Sequence, residues 1–257
     1  MSWVAERMQR LQRETRKRRI SAWMPPAEAE GGAPGQVLLR SPALTLVLDS
    51  RRGGRLLELS DKKSGRVLLN SGWIDHRFGP RARLRDFAEG RFHELPALPA
   101  GSCSARVEEG KGFIRSILDR RTPLLQVAKS VTLPTRGRRV LFAHRLTNLS
   151  GRRMDFLFGT GLTLNLKDAH VNRVGEAPGV RQFAVLDPAA RLEVRWRFSR
   201  PARIWYFPLE SGSGARRVYR GVKLTGLWPV KLPPGKSWQL QWQLEIGEPS
   251  GWHPGKK

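Results

Sequence analysis

The chain has 257 residues, of which 39% are hydrophobic and 8% aromatic, which is enough for a buried core and too much for pervasive disorder. Lys and Arg number 47 against 22 Asp and Glu, and the net charge of +25 favours polyanions such as nucleic acid, acidic proteins or anionic membranes without determining a fold. Cys103 is the one cysteine, which excludes an intramolecular disulfide and a cysteine-based metal cluster.

Residues 1–24 are predicted to form a short basic amphipathic helix. Val4, Met8 and Leu11 recur at helical spacing, and Pro25 ends the segment. The other positions carry candidates for contact with a partner or a polyanion, namely Arg7, Arg10, Arg13, Arg16, Lys17, Arg18 and Arg19. Proline and glycine over residues 25–35 predict a linker.

From residue 36 to residue 248 the hydrophobic pattern has a period of two. The clearest run is 237–246, where Trp, Leu and Ile alternate with Ser, Gln and Glu, and residues 44–49 and 191–198 follow the same pattern. Further strands are predicted at 55–59, 66–69, 112–118, 125–133, 138–148, 153–166, 181–186, 202–209 and 216–228. Strands separated by frequent turn residues predict one all-β domain, a large antiparallel β-sandwich, with a tail over residues 249–257.

Motifs of common enzyme classes are missing. There is no Gly-x-Ser-x-Gly elbow, phosphate-binding glycine loop or His-Glu-x-x-His pattern. Glycoside hydrolysis needs a carboxyl group with a raised pKa, whereas the acidic residues here lie mostly among arginines, which lower the pKa. We therefore expect no catalysis by this chain alone, no cofactor and no metal site. No run reaches the about 18 apolar residues of a membrane span and no secretory signal is present, so a cytoplasmic protein is expected.

Aromatic side chains are the first candidates for binding sugar rings or nucleobases. Trp196, Trp238 and Trp242 alternate with polar residues and are predicted to lie in the core, as is His144 on the apolar face of its strand. The predicted surface candidates, where alternation breaks or Gly and Pro are adjacent, are Trp73, Trp205, Tyr206, Tyr219 and Trp228.

A set of ordered motifs covers most of the predicted β-domain. They are DSRRGGRLLEL at 49–59, WIDHRF at 73–78, LRDFAEGRFHEL at 84–95, VAK at 127–129, HRLTN at 144–148, IWYFPL at 204–209, RVYRG at 217–221 and LWPV at 227–230. In order and spacing they resemble the C-terminal β-domain of α-amylases and 4-α-glucanotransferases of glycoside hydrolase family 57. The resemblance spans roughly residues 36–248. It implies the galactose-mutarotase-like supersandwich fold, and it adds His76 and Arg220 to the candidate carbohydrate-binding residues.

The chain also departs from the family pattern. The family's Tyr and Gln are replaced by His144 and Arg220, and Gly161 lies near the position of the family's strand Glu. In the family the catalytic carboxylates lie on an N-terminal barrel, which this chain lacks. We therefore expect a non-catalytic carbohydrate-associated module that binds α-glucan weakly or serves as accessory subunit to a separately encoded glycoside hydrolase catalytic domain. The alternatives are a nucleic-acid or acidic-protein binding protein that reuses the sandwich and, third, an aldose epimerase-like enzyme with a His acid and a carboxylate base.

Overall fold

A computed structural model describes residues 35–84, 102–166, 169, 171, 173–211 and 218–249. The basic helix predicted over residues 1–24, including its seven candidate cationic residues, lies outside these described residues, and so does most of the predicted linker.

The described chain is built from β-strands, which confirms the all-β prediction. Its thirteen strands, numbered in chain order, are β1 Gln36–Arg40, β2 Leu44–Asp49, β3 Arg55–Asp61, β4 Arg66–Phe78, β5 Ser104–Gly110, β6 Phe113–Arg121, β7 Leu125–Pro134, β8 Arg139–Asn148, β9 Met154–Leu164, β10 Gly175–Asp187, β11 Leu192–Ser211, β12 Val218–Leu232 and β13 Ser237–Gly247. A short 3-10 turn at Ser50–Arg52 connects β2 to β3.

The strands form a continuous antiparallel ladder in the order β1-β2-β3-β4-β9-β12-β11-β13-β8-β7-β6-β5, with β10 paired to β11. Residues 203–211 of β11 pair with β12, and residues 193–198 pair with β13. We call β1–β4, β9, β12 and the second half of β11 the first sheet, and β5–β8, β13 and the first half of β11 the second sheet. The strand β11 therefore passes from one sheet to the other.

This long strand corrects the sequence prediction, which divided it into separate strands at 191–198 and 202–209. Pro201 lies between the two paired segments, where loss of a ladder donor is tolerated because neither β12 nor β13 pairs there. The neighbouring strand β10 shifts its register between Ala177 and Gln182, across the same place. Both strands can thus follow the change of sheet.

The main core lies between the two sheets and is rich in aromatic rings. Trp196, Trp238 and Trp242 are 0%, 8% and 3% exposed, which confirms their predicted core positions. The ring of Phe158 lies 5.4 Å from that of Trp238 and 5.2 Å from that of His144, between centroids. His144 is buried as predicted. Aromatic packing of this kind stabilises beyond the area it buries.

Two of the recognised motifs contact each other across the sandwich. Lys129, in the motif at 127–129, is buried, and its Nζ lies 3.4 Å and 3.2 Å from the carbonyl oxygens of Gly53 and Gly54. Both glycines have φ near +70°, a left-handed conformation that favours glycine. The ammonium group therefore joins β7 to the turn before β3. None of the helices within the described part of the chain is long and apolar enough to cross a membrane.

Candidate functional site

A second apolar cluster lies on the side of the first sheet that faces away from the main core. Along β9, Phe156 and Phe158 belong to the core, so the alternation of a strand directs Leu157 to the opposite side. The five buried residues of this cluster are Phe78, Leu157, Trp205, Phe207 and Leu227. Ala82 and Leu84 pack against them. We call this surface the outer face of the first sheet.

A row of residues crosses the outer face from strand to strand. Glu176 of β10 pairs with Trp205 of β11, Trp205 with Thr225 of β12, and Thr225 with Gly161 of β9. The side chains of directly paired residues lie on the same face. The row therefore gathers a carboxylate, an indole and a hydroxyl group beside a glycine.

The carboxylate of this row is held by two neighbours. Trp205 donates its indole N–H to Oε2 of Glu176 over 2.8 Å, and Nε of Arg203 lies 3.6 Å from Oε1. Glu176 and Arg203 are not among the candidate residues that the sequence pattern predicts. Glu176 and Trp205 are 29 positions apart, and the pairing of β10 with β11 brings them together, so no local pattern signals the contact.

The hydroxyl group of Thr225 is buried, and its Oγ1 has no hydrogen-bond partner within the described part of the chain. A buried hydroxyl without a partner costs free energy and marks a position where a polar group could be received. Gly161, directly opposite, contributes no side chain to meet it. This is also the strand position near which the resemblance leads one to expect a glutamate.

An aromatic ring fills the neighbouring position. A Cβ atom at Gly159 would lie 2.5 Å from the Phe78 ring and 3.1 Å from a methyl group of Leu227. Phe78 is fully buried, and its ring centroid lies 6.2 Å from that of Trp205. Among the described residues, the part of the outer face around Gly159 is therefore packed with apolar side chains.

Two of the predicted surface aromatics are buried, so their predicted exposure is wrong. Trp205 is 0% exposed beneath the apolar cluster of the outer face. Trp228 is 2% exposed in the main core, with ring centroids 6.3 Å and 5.4 Å from those of Phe158 and Phe198. Pro229 lies beyond the residues of β12 that pair with β11, so its missing N–H leaves that pairing intact.

Tyr206 and Arg220 lie at different places on the sheet. Tyr206 is partly buried and packs against the main core, stacked on Phe183 with centroids 5.7 Å apart, so it lies on the opposite side of the sheet from Trp205. Arg220, beside Tyr219 near the start of β12, is exposed and donates from Nε to Oγ of Ser211 over 2.7 Å.

The last two candidates lie in β4. Trp73 pairs with Leu56 of β3, and His76 pairs with Gly159 of β9, next to the centre of the outer face. Their side chains are outside the described part of the structure. The described residues contain no group of three or more His, Cys, Asp or Glu that could hold a metal ion.

Comparison with known proteins places the chain in a family. The profile of the C-terminal domain of α-amylase and 4-α-glucanotransferase matches residues 67–242. A comparison with curated protein sequences finds no match. Among solved structures, the 4-α-glucanotransferase from Thermococcus litoralis is 18% identical with a TM-score of 0.64, covering 82% of this chain. This chain spans 37% of the length of that enzyme.

Two further structures are similar over their entire or nearly entire length. A protein from Synechocystis is 14% identical, with a TM-score of 0.60 and coverage of 88% of this chain and 100% of that chain. A putative aldose 1-epimerase from Escherichia coli is 11% identical, with a TM-score of 0.60 and coverage of 83% and 99%. At these identities the structures show the shared fold alone. With its profile match over most of the described β-domain, the chain belongs to the α-amylase/4-α-glucanotransferase C-terminal domain family.

Proposed function

We propose that this chain is a non-catalytic accessory module of α-glucan-processing enzymes. It associates with a separately encoded catalytic domain and binds α-glucan at most weakly by itself. The observation that carries the proposal is the packing of the outer face, where Phe78 occupies the space above Gly159 and Trp205 is fully buried. A sugar ring needs an accessible concave surface with polar groups aimed into it, and among the described residues this packing leaves no such surface around Gly159.

The polar groups of the outer face also favour a non-catalytic function. Hydrolysis or transfer of a glycosyl group needs one carboxyl group as acid and a second carboxylate on the other side of the bond. The Glu176 carboxylate is bound by the indole of Trp205 and lies beside the guanidinium of Arg203. Each of its oxygens thus already has a donor of this chain beside it. The described row that runs from Glu176 to Gly161 holds no second carboxylate to act on the other side of a glycosidic bond.

The proposed docking element is the basic segment 1–24, which precedes the β-domain. Its positive charge suits an acidic surface on the catalytic partner, because complementary charge speeds and orients association. The likeness to the Thermococcus 4-α-glucanotransferase supports this arrangement, since the matched region is 37% of that chain.

The partner arm of the test mixes the full chain with a purified catalytic domain of the same enzyme family from the same organism. We expect a complex in sedimentation velocity. Replacing Arg7, Arg10 and Arg13 by glutamine should weaken it, whereas replacing Lys111, Arg136 and Arg152, which lie in exposed turns of the β-domain, should not. Equal weakening by both triple substitutions would contradict docking through the segment 1–24.

The carbohydrate arm uses the full chain alone. We expect slight retardation in gels containing amylopectin and no new products from maltoheptaose after long incubation. Release or transfer of glucosyl units by the purified chain would refute a non-catalytic module. Failure to bind both amylopectin and the catalytic domain would refute the accessory function. Unchanged anomer interconversion of glucose would remove the aldose epimerase alternative.

A further inference from the structure

A groove lined by both polar and apolar side chains lies on the other side of the molecule, on the outward side of the second sheet. Its volume is about 380 Å³, and its lining includes Arg115, Ser130, Ala143, Arg197 and Gln241. Along β7, β8 and β13, the core residues Val131, Phe142 and Trp242 alternate with this lining, so the groove faces away from the core. It shares no residue with the outer face of the first sheet.

The strand pairing places the two arginines at opposite ends of one row. Arg115 of β6 pairs with Thr132 of β7, and Thr132 pairs with Leu141 of β8. Leu141 pairs with Gln243 of β13, which pairs with Arg197 of β11. Four inter-strand spacings separate the arginines, so their backbones are about 19 Å apart. The adjacent row joins Ser130, Ala143 and Gln241, whose first two side chains are small and form the floor.

Both guanidinium groups are held in position. Arg115 donates from Nε to Oγ1 of Thr132 over 2.9 Å, and its Cζ lies 4.8 Å from the centroid of the Phe113 ring. Arg197 donates from Nε to Oε1 of Gln182 over 3.1 Å, and one Nη lies 3.7 Å from Glu245. Fixing the Nε of each arginine reduces the side-chain entropy that binding would cost and leaves Nη donors for a ligand.

The polar groups of the lining between the arginines are hydroxyl and amide groups, which can both donate and accept hydrogen bonds, and the apolar side chains of Leu141 and Ala143 lie among them. The aromatic residues at the groove, Phe142, Phe198 and Trp242, are buried and belong to the main core. Binding of single-stranded nucleic acid depends on aromatic platforms on which bases stack, and the groove presents none among its described residues. Two arginines separated by hydroxyl, amide and apolar side chains match anionic groups spaced along a carbohydrate chain, which has both hydroxyl groups and apolar C–H faces.

We propose that this groove binds an anionic carbohydrate chain, such as an oligosaccharide that carries phosphate or sulfate esters. Arg115 and Arg197 bind two separated ester groups, and Ser130, Gln241 and Gln243 hydrogen-bond the hydroxyl groups between them. The site is independent of the accessory function proposed above, because it uses neither the outer face nor the segment 1–24.

The test measures binding of a fluorescently labelled sulfated maltohexaose to the full chain by anisotropy. Because a protein of this charge attracts any anion, the informative comparison is between variants. Arg115→Gln with Arg197→Gln should weaken binding at least about tenfold. Arg136→Gln with Arg152→Gln removes the same charge from exposed turns outside the groove and should change affinity less than about twofold.

A second variant tests the groove without changing charge. Ser130→Leu with Ala143→Leu places two large side chains in the groove. This variant should weaken binding about as much as the arginine variant does. Thermal unfolding of each variant shows whether it is folded. Equal weakening by both arginine pairs, or unchanged affinity in the folded leucine variant, would overturn the proposal. So would an oligothymidylate of equal charge that competes as well as unlabelled sulfated maltohexaose does.

Discussion

Replacing Gly159 by alanine tests whether the outer face of the first sheet is packed or open. The new methyl group would lie 2.5 Å from the Phe78 ring and 3.1 Å from Leu227, well inside normal contact distance. Phe78 is fully buried and lacks room to move freely. Over-packing of a core site costs about 1–3 kcal/mol, so we expect Gly159→Ala to lower the free energy of unfolding by about 2 kcal/mol.

Urea unfolding followed by tryptophan fluorescence measures this change, and the nine tryptophans of the chain provide the signal. In a domain of this size the melting temperature should fall by roughly 4–8 °C. Gly79→Ala is the matched control, since a Cβ at Gly79 meets nothing within 4 Å. The Phe78→Leu background should reduce the cost of Gly159→Ala by more than about 0.5 kcal/mol, because the smaller side chain frees space.

Equal stability of Gly159→Ala and Gly79→Ala would refute the reasoning. It would mean that Phe78 yields easily and that the outer face has room for a ligand. The main support for a non-catalytic module would then be lost, whereas the groove on the second sheet would be unaffected.

Two further substitutions test contacts within the fold. Although burial opposes ionisation, hydrogen bonds from Arg138 and Ser64 hold the pKa of Asp61 below its ordinary value of 3.8. The ionised carboxylate of Asp61 thus stabilises the fold above that pH, and this contribution is lost as the pH falls. Asp61→Asn should lower the free energy of unfolding by about 3 kcal/mol at pH 7, and the urea midpoint of the variant should decline less than that of the unmodified chain between about pH 5 and 2. An equally steep decline in both proteins would contradict this. Gly221 has a φ of +145°, and a Cβ there would collide with the carbonyl oxygen of Leu164. Gly221→Ala should therefore lower the free energy of unfolding by about 3 kcal/mol or more. An unchanged urea midpoint would contradict this and show that the strand adapts.

The tryptophans show where the alternation of apolar and polar residues along a strand predicts burial correctly and where it does not. Trp238 and Trp242 lie in an unbroken alternating run, and their burial follows from the period of a strand. Trp205 and Trp228 lie in runs where both faces of the sheet are covered, so apolar residues occur at consecutive positions and the alternation is lost. The broken alternation there predicts exposure, whereas its cause is a second layer of packing on the outer face.

Most of the strands of the described chain could be predicted from local pattern. β1 and β5 are not among the strands predicted from the sequence, and each lies at one end of the ladder. Edge strands are short or carry mixed polar residues, which weakens their periodic signal. The sequence also does not predict that two of its strands are continuous in β11. The continuity depends on pairing with β12 in one sheet and β13 in the other, which no local pattern shows.

The amino-acid sequence by itself determined the class of fold, the core positions of the clearest strands and the family resemblance, because each depends on alternation or on motifs in a fixed order. Only the tertiary structure decided which residues meet. The contact of Trp205 with Glu176, the filling of the space above Gly159 by Phe78, and the alignment of Arg115 with Arg197 all join residues distant in sequence. Such contacts depend on the register in which neighbouring strands pair. The register is determined when the two sheets pack together, because the apolar face of every strand must then point into the common core.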